Sequence, residues 1–386
     1  MKALVLTPST ATAAVRDISC PIPGPGEVLV RVQAVAVNLV DQIYFSEPIA
    51  AQQERVLGVD FAGVVVGRNQ DLVNCTDRRV KDGARVAGFV QGANSVNDRP
   101  GAFAEYVAAP YDLLWTLPAT LSFEEASTVS MCGLTAAQAV FARLKLPSPF
   151  SPGFVPQDDI VNFLIYGSSS SLGLFAAQLV HLAAQASGKK FRLIGTASPA
   201  KHELLRTAPY SYDILIDYHE SDWPQKVKVA TNGAGVHFAL DTISERDTVE
   251  KVHSVLGSQG KYHVFRSHIG GQYDTSALKI QPIYGTVWEG LGHEIDYGDG
   301  FVFQAPPEAR QFATKFFEFL GSGVDSGKTV LQPNPVRRMP GGLERIVPDA
   351  FTLLSGLVSE RNVTDPSSAE GHMQPISGEK LVYSIA

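Results

Sequence analysis

Near the middle of the chain, small residues cluster in a way that suits the binding of an anion. Four serines lie between two glycines: Ser168, Ser169, Ser170 and Ser171 between Gly167 and Gly173. An apolar run at 160–165 precedes this cluster, and another apolar stretch follows it at 174–184. Since backbone N–H groups at a helix N-terminus attract phosphate, the segment predicts a strand, a phosphate-binding turn and a helix.

The turn matches the glycine-rich dinucleotide fingerprint only in its outer positions. Gly167 and Gly173 keep the outer glycines, whereas Ser169 stands where the fingerprint has its middle glycine. A serine hydroxyl there can donate a hydrogen bond to phosphate. An ordinary serine-rich turn between a strand and a helix has the same pattern.

A second polar group follows the next apolar run, at 191–197, where a nucleotide fold contacts the adenosine ribose. An NAD site offers an acidic residue to the ribose 2′-hydroxyl, and an NADP site offers neutral or cationic donors to the 2′-phosphate. Here the chain places Ser198 and Lys201, which favours NADPH. Ser198 before Pro199 is also typical of a helix N-cap, and both interpretations can hold together.

The segments around these residues show two different sequence patterns. Apolar runs that end in polar residues and alternate with helical stretches predict a parallel, doubly wound sheet, with strands at 160–165, 191–197, 212–217, 236–241 and 260–265. Shorter runs separated by Pro- and Gly-rich turns predict a β-rich barrel or sandwich, with strands at 1–6, 27–35, 63–67, 82–88 and 101–107. Helical patterns cover 123–144 and 308–320; in the latter, Phe312, Phe316 and Phe319 mark the core face.

Composition excludes several classes of function. The chain has 386 residues, enough for two domains, and its net charge of -7 predicts no general attraction to nucleic acid. No apolar run reaches the ~18 residues that a membrane span needs, and the chain starts with a strand pattern instead of a signal peptide. A cytoplasmic, soluble enzyme is expected. Cys20, Cys75 and Cys132 lie far apart and the histidines do not cluster, so no metal site is predicted.

Several motifs in one order resemble the medium-chain dehydrogenase/reductase superfamily over nearly the whole chain. The motifs lie at 24–30, 38–41, 57–63, 82–86 and 101–106, followed by the serine turn at 167–171. Zinc-holding members usually carry Cys where Asn38 stands and His-Glu where Val59 and Asp60 stand, and the four-cysteine zinc lobe is missing. The chain is therefore most similar to the zinc-free branch.

Within that branch the chain resembles the fungal trans-acting enoyl reductases of the lovastatin type, which partner polyketide synthases. The similar segments include 131–137, the Pro-rich insertion before Val161, the serines, 198–201, Tyr218 and 377–382. The resemblance implies an α/β fold with a GroES-like β-rich domain at 1–140 with 310–386, and a Rossmann NADPH-binding domain at 141–309. It also implies an active site in the cleft and a monomer.

The resemblance assigns site residues by position. It implies that NADPH contacts Ser168 to Ser171, Ser198, Lys201 and Tyr218, together with Asn38 and Asp41 at the cleft floor and Ile376 and Ser377 near the C-terminus. It implies a substrate segment formed by Met131, Cys132, Gly133, Leu134 and Thr135. Two alternatives stay open: Thr135 as a helix-interior threonine that bonds back to a carbonyl, and Asn38 with Asp41 as a simple strand-ending turn.

The implied reaction is the 1,4-reduction of an α,β-unsaturated polyketide thioester, held on the acyl carrier of a partner synthase. Thr135 or a ribose hydroxyl is the candidate donor to the carbonyl oxygen, and water or Tyr44 is the candidate proton donor. Ile43 replaces the lysine of the lovastatin type, which predicts a more apolar cleft. A stand-alone quinone or enone reductase is one alternative; a non-redox isomerase or accessory polyketide-binding protein is another.

Overall fold

A computed structural model describes residues 1–48, 54–93, 99–297, 302–361 and 371–385. The chain forms two compact units. Unit 1 comprises Met1–Met131, Trp288–Gly356 and Asn362–Ala386, and unit 2 comprises Cys132–Val287 and Leu357–Arg361. The division predicted above, 1–140 with 310–386 against 141–309, sets both breaks later in the chain and stays a prediction for the functional domains.

The strands are, in chain order, β1 Lys2–Thr7, β2 Thr12–Asp17, β3 Glu27–Val37, β4 Arg55–Val56, β5 Asp60–Arg68, β6 Arg85–Phe89, β7 Tyr106–Pro110, β8 Leu114–Thr116, β9 Ile160–Tyr166, β10 Lys190–Thr196, β11 Ile214–Ile216, β12 Val236–Asp241, β13 Leu256–Val264, β14 Ile295–Asp296, β15 Val302–Phe303, β16 Val336–Arg338 and β17 Lys380–Ser384. The α-helices are α1 Leu39–Ser46, α2 Phe123–Ser127, α3 Ser130–Ala137, α4 Ser171–Ser187, α5 His202–Arg206, α6 Trp223–Ala230, α7 Asp247–His253, α8 His268–Gly271, α9 Pro307–Gly321 and α10 Thr352–Leu354. A π-helical turn, Gln138–Arg143, continues α3. No helix in the described part of the chain is long and apolar enough to cross a membrane.

Unit 1 is built on a seven-stranded sheet whose order is β16-β17-β3-β5-β6-β8, with β7 also paired to β3. The long strand β3 pairs antiparallel with β5 and with the C-terminal strand β17, where Leu381 faces Val37. Strand β17 therefore brings a C-terminal segment into the same sheet as β3, more than 300 residues earlier in the sequence. A smaller sheet, β2-β1-β4, accompanies it. These antiparallel strands confirm the β-rich domain predicted from the short apolar runs.

Unit 2 contains a five-stranded parallel sheet in the order β11-β10-β9-β12-β13. The central strand β9 is almost wholly apolar because helices cover the sheet; its residues Phe163, Leu164 and Ile165 are fully buried. The predicted doubly wound sheet is confirmed. Strand order reverses at β9, since β10 lies on one side of it and β12 on the other. Ligands of such sheets bind outside the carboxyl end of the strand at this switch point.

A short excursion of the C-terminal chain, Leu357–Arg361, belongs to unit 2. Its anchor is Glu245, whose carboxylate is fully buried. The carboxylate accepts hydrogen bonds from the backbone N–H groups of Val358 and Ser359, 2.9 and 3.1 Å away, and from the Ser359 hydroxyl at 3.0 Å. Arg266 forms an ion pair with the same carboxylate. These bonds stabilise the excursion on unit 2 through one buried charge.

Candidate functional site

The serine turn (167–171) follows β9 at the switch point of the sheet. Gly167 adopts the left-handed conformation with φ of +76°, and its N–H donates to the Thr196 hydroxyl at 3.1 Å. The Ser168 side chain is fully buried and donates to the carbonyl oxygen of Ile165 at 2.8 Å. Ser168 therefore stabilises the turn from the inside; its predicted contact with a cofactor stays a prediction.

Ser170 caps the N-terminus of α4. Its hydroxyl accepts from the N–H of Gly173 at 3.0 Å and donates to the Thr242 hydroxyl at 2.8 Å. Thr242 in turn donates to the carbonyl oxygen of Tyr166 at 2.8 Å. Because these bonds connect the turn to the loop after β12, the turn is rigid before any ligand arrives.

The remaining serines, Ser169 and Ser171, are half-exposed at the mouth of the turn. In the described residues, Ser169 makes no hydrogen bond to another residue. A Cβ atom added at Gly173 would lie 2.5 Å from the Gly167 carbonyl oxygen, so the start of α4 packs directly on the turn. Backbone this close to a helix N-terminus fits a pyrophosphate.

The predicted 2′-phosphate residues come together at the same edge of the unit 2 sheet. Strands β10 and β11 are parallel neighbours in which Thr196 faces Ile216. Ser198 and Lys201, just after β10, are half-exposed, and Tyr218, just after β11, is exposed. The carboxyl ends of these two neighbouring strands therefore carry a hydroxyl, an ammonium and a phenol, and their contact with a 2′-phosphate stays a prediction.

Sequence reasoning missed the histidines at this edge. The His219 Nδ1 atom lies 2.7 Å from an Asp217 carboxylate oxygen, which also accepts from the His219 N–H at 3.0 Å. These bonds lower the pKa of Asp217. The Tyr218 and His219 rings lie 4.1 Å apart. The sequence could have indicated both histidines, because His219 directly follows Tyr218 and His202 directly follows Lys201.

In unit 1, Asn38 and Asp41 form a capping box at the start of α1, in which the Asn38 N–H donates to Asp41 Oδ2 at 2.7 Å. The Asn38 side-chain amide also donates to Asp60 Oδ2 at 3.0 Å. Lys380 donates to Asn38 Oδ1, and its Nζ atom lies 3.8 Å from Asp60 Oδ2. We call these four residues, Asn38, Asp41, Asp60 and Lys380, the buried cluster.

The buried cluster has one ammonium and two carboxyl groups away from water. Burial raises the pKa of Asp41 to about 8, against the lowering effect of its bond from the Asn38 N–H. Burial also raises the pKa of Asp60, and the charge of Lys380 opposes that rise. Asp41 Oδ1 has no hydrogen-bond partner among the described residues. The capping box matches the turn alternative, and a cofactor contact of Asn38 or Asp41 stays a prediction.

Asp60 connects the buried cluster to the predicted substrate segment. Its Oδ1 atom accepts a hydrogen bond from the backbone N–H of Met131, in the first turn of α3, at 2.8 Å. Within α3, Met131 and Thr135 are half-buried, whereas the three residues between them, Cys132, Gly133 and Leu134, are buried. Met131 and Thr135 are four positions apart and share one face of the helix. This face is the accessible part of the predicted segment.

Tyr44 is buried in α1, and its hydroxyl lies 3.1 Å from the hydroxyl of Tyr297. Ile376 is half-buried and Ser377 is exposed. The Ser377 N–H donates to Glu379 Oε2 at 2.7 Å, which orders the loop before Lys380. Sequence reasoning missed Asp60, Lys380 and Tyr297 as site residues; the first two stand inside motifs that it used for the family resemblance.

In the described residues, no three His, Cys, Asp or Glu side chains lie together as a metal-ligand group. Where zinc-holding members carry Cys and His-Glu, this chain has Asn38, Val59 and Asp60, and the side chains of Asn38 and Asp60 bond within the buried cluster. Asn38 and Asp60 therefore act in the packing of unit 1.

Comparison with known proteins agrees with this architecture. Residues 24–119 match the model of the alcohol dehydrogenase GroES-like domain. The chain is 30% identical over 374 residues to the trans-enoyl reductase RAP2 of Pyricularia oryzae, with 96% of this chain and 94% of the relative covered. It is 29% identical over 376 residues to the trans-enoyl reductase traG of Penicillium crustosum, with 96% and 93% covered.

Solved structures show the same fold at lower identity. An alcohol dehydrogenase superfamily protein from Novosphingobium aromaticivorans matches with a TM-score of 0.71 and 20% identity, covering all of both chains. The CurK enoyl reductase matches with a TM-score of 0.67 and 16% identity, covering 100% of this chain and 99% of the other. A mycobacterial protein complexed with NADPH matches with a TM-score of 0.66 and 20% identity, covering all of both chains.

Proposed function

The chain belongs to the medium-chain dehydrogenase/reductase superfamily, in the family of the fungal trans-enoyl reductases, and we propose that it is an NADPH-dependent enoyl reductase acting on a polyketide thioester. The observation that carries this proposal lies in unit 2. A rigid serine turn stands at the switch point of a parallel sheet, and Ser198, Lys201 and Tyr218 gather at the same edge. That arrangement suits a dinucleotide with a 2′-phosphate.

In the proposed site, the backbone of the serine turn and the hydroxyls of Ser169 and Ser171 hold the pyrophosphate at the start of α4. Lys201 supplies a positive charge to the 2′-phosphate, and Ser198 and Tyr218 supply hydrogen bonds. Ser168 and Ser170 keep the turn in shape through their internal bonds. When bound, NADPH would supply the hydride that adds to the β-carbon of the substrate.

Addition at the β-carbon places negative charge on the thioester oxygen as an enolate. A hydrogen-bond donor aimed at that oxygen stabilises the charge, and Thr135 is the candidate because it is the half-buried hydroxyl of α3. Asp60 fixes the first turn of this helix through Met131.

The second step is the transfer of a proton to the α-carbon. Tyr44 is the candidate donor; it lies in α1 and is buried. Ile43, its neighbour in sequence, is half-buried and has no proton to give. We propose that the substrate reaches the enzyme on the acyl carrier of a partner synthase in the cytoplasm, and that the enzyme works as a monomer.

Calorimetric titration tests the cofactor first. We expect the full chain to bind NADPH in preference to NADH, and Lys201→Ala to weaken NADPH binding by about 10- to 100-fold, since a hydrogen bond to a charged group contributes about 1.5–3 kcal/mol. The matched control is Lys190→Ala, at the opposite end of β10. Equal affinity of wild type and Lys201→Ala for NADPH would overturn the assignment of the 2′-phosphate site.

Turnover then separates the possible functions. Reduction of an enoyl thioester with equimolar oxidation of NADPH supports the enoyl reductase. Oxidation with free quinones alone would identify a stand-alone quinone reductase. Conversion of a thioester without NADPH oxidation would identify an isomerase, and binding without conversion an accessory protein.

A further inference from the structure

Two tyrosine hydroxyls face each other within unit 1. The hydroxyls of Tyr44 and Tyr297 lie 3.1 Å apart, although the residues are 253 positions apart in the chain. Either hydroxyl can be the donor in this bond. A pair of phenols at this distance can therefore pass a proton in either direction.

Aromatic packing fixes the orientation of Tyr44. Its ring stacks on Trp288, with the ring centroids 6.3 Å apart, and Trp288 stacks on Phe89 at 6.2 Å. Trp288 and Phe89 are both buried. With its ring held on this stack, the Tyr44 hydroxyl has a defined position, as a proton donor requires.

Tyr297 differs from Tyr44 in exposure. Tyr44 is only 2% exposed, whereas Tyr297 is half-buried beside β14 and β15, where its ring packs edge-on against Phe303 at 5.5 Å. A buried phenol that gives up a proton must regain one before the next turnover. Tyr297 is bonded to Tyr44 and lies closer to solvent, so it can return that proton.

We propose that Tyr297 is a positioning residue for Tyr44: it orients the Tyr44 hydroxyl for protonation of the α-carbon and returns a proton to Tyr44 after each turnover. This inference rests on the proposed enoyl reduction. In the step, the electron pair of the enolate forms a C–H bond at the α-carbon while the O–H bond of Tyr44 breaks. The pair left on the Tyr44 oxygen takes the Tyr297 proton, and water reprotonates Tyr297.

The hydrogen bond from Tyr297 also stabilises the phenolate that Tyr44 becomes. A hydrogen bond to a charged oxygen is roughly twice as strong as one between neutral groups. Loss of the Tyr297 hydroxyl therefore slows the proton step and leaves substrate binding in place. The expected signature is a fall in kcat without a matching rise in KM.

The test uses the full-length wild-type chain and its Tyr44→Phe, Tyr297→Phe and double variants, with a 2-methyl-enoyl thioester of N-acetylcysteamine as substrate. The methyl group makes the protonated carbon a stereocentre. We expect kcat to fall by about 100-fold in Tyr44→Phe and about tenfold in Tyr297→Phe. The double variant should be no slower than Tyr44→Phe, because the two hydroxyls act as one unit.

The readouts beyond rate are the solvent deuterium isotope effect on kcat and the configuration of the product at the α-carbon. Both should change in Tyr297→Phe, and Tyr44→Phe should give a mixture of configurations because water then delivers the proton. Tyr106→Phe in β7 is the matched control, since its hydroxyl makes no hydrogen bond in the described residues. Thermal unfolding and NADPH titration establish that each variant is folded.

Two outcomes overturn the proposal, and they are distinguishable. A Tyr297→Phe variant that is folded and keeps the wild-type kcat, isotope effect and configuration overturns the role of Tyr297 while the enoyl reductase stands. A wild-type chain that binds NADPH and reduces no enoyl thioester overturns the proposed function and this role with it.

Discussion

The buried cluster of unit 1 and the serine turn of unit 2 both contain polar residues that sequence reasoning assigned to a cofactor, Asn38 and Asp41 in the first and Ser168 to Ser171 in the second, yet their surroundings differ. In the buried cluster, the polar groups bond to one another and Asp41 is only 1% exposed. In the serine turn, Ser168 and Ser170 bond inward while Ser169 and Ser171 stand at the surface of the turn. Residue type alone therefore does not tell which polar residues bond within the protein and which lie at its surface.

The difference lies in where each group finds its partners. A buried charge must be satisfied by the protein itself, so the residues around Lys380 are committed to the fold. In the proposed site, the turn at the sheet edge uses Ser168 and Ser170 for its own shape and binds the ligand through its backbone and Ser169. We therefore expect mutations in the buried cluster to change the free energy of unfolding, and mutations at the ligand edge to change cofactor affinity.

Lys380→Met gives the largest loss of stability that we expect from a substitution at a fixed pH. It removes the cation beside Asp60 and Asn38 and leaves a carboxylate buried without its counter-charge, which costs about 3–5 kcal/mol of unfolding free energy. Urea unfolding followed by circular dichroism measures this loss. The affinity of the folded fraction for NADPH should stay at the wild-type value.

The control for Lys380→Met adds Asp60→Asn, which removes the unpaired charge and should recover a good part of the lost stability. A Lys380→Met variant with nearly wild-type stability would show that the cluster contributes little to the fold. In that case the buried cluster of unit 1 would not differ from the serine turn by stabilising the fold.

Most of the fold follows from local patterns, and unit 2 shows why. Strand β12 is predicted at 236–241 and occupies Val236–Asp241, since its apolar run lies between the small residues 233–235 and a polar loop that begins at Thr242. The run at 212–217 forms a strand only over Ile214–Ile216, and the Tyr212 N–H donates to the carbonyl oxygen of Leu205 instead of to a neighbouring strand. The side chain of Asp241 accepts hydrogen bonds from the N–H groups of Ile243 and Ser244 in the turn after β12.

Predictions were poorer where contacts join distant parts of the chain. Phe312, Phe316 and Phe319 were expected on the core face of α9, but its buried residues are Ala313, Phe316, Phe317 and Leu320. The face is set by what α9 packs against, including the stack of Phe317 on Phe89. The pairs Lys380–Asn38 and Tyr44–Tyr297 likewise join residues hundreds of positions apart, and no local pattern carries that information.

The pH dependence of stability gives the next effect and isolates Asp41. Burial raises the pKa of Asp41 from the ordinary value of 3.8 to about 8, so this group stabilises the fold fully below its unfolded pKa. As the pH rises from about 4 to about 8, the unfolded chain loses the proton and the folded chain keeps it. Stability then falls by at most about 1.4 kcal/mol per pH unit.

Asp41→Asn keeps an acceptor for the Asn38 N–H and removes the titration. The free energy of unfolding of Asp41→Asn, relative to wild type, should therefore increase with pH across this window. Urea unfolding at a series of pH values measures the difference, with Asp17→Asn at an exposed position as control. A difference that does not vary with pH would mean that Asp41 is ionised in the folded chain, and that water reaches the buried cluster.

Gly173→Ala gives the smallest expected change in stability and tests the unit 2 side of the comparison. The added Cβ atom would lie 2.5 Å from the Gly167 carbonyl oxygen and 2.7 Å from that of Ser168, so the turn must shift away from α4. We expect a loss of about 1–3 kcal/mol in unfolding free energy. The free energy of NADPH binding should weaken by at least as much, because in the proposed site the same backbone packs on α4 and holds the pyrophosphate.

Gly371→Ala is the control, since its Cβ meets nothing within 4 Å among the described residues. If Gly173→Ala lowers stability and leaves NADPH affinity unchanged, the serine turn is a structural element like the buried cluster, and the cofactor binds elsewhere on the sheet edge.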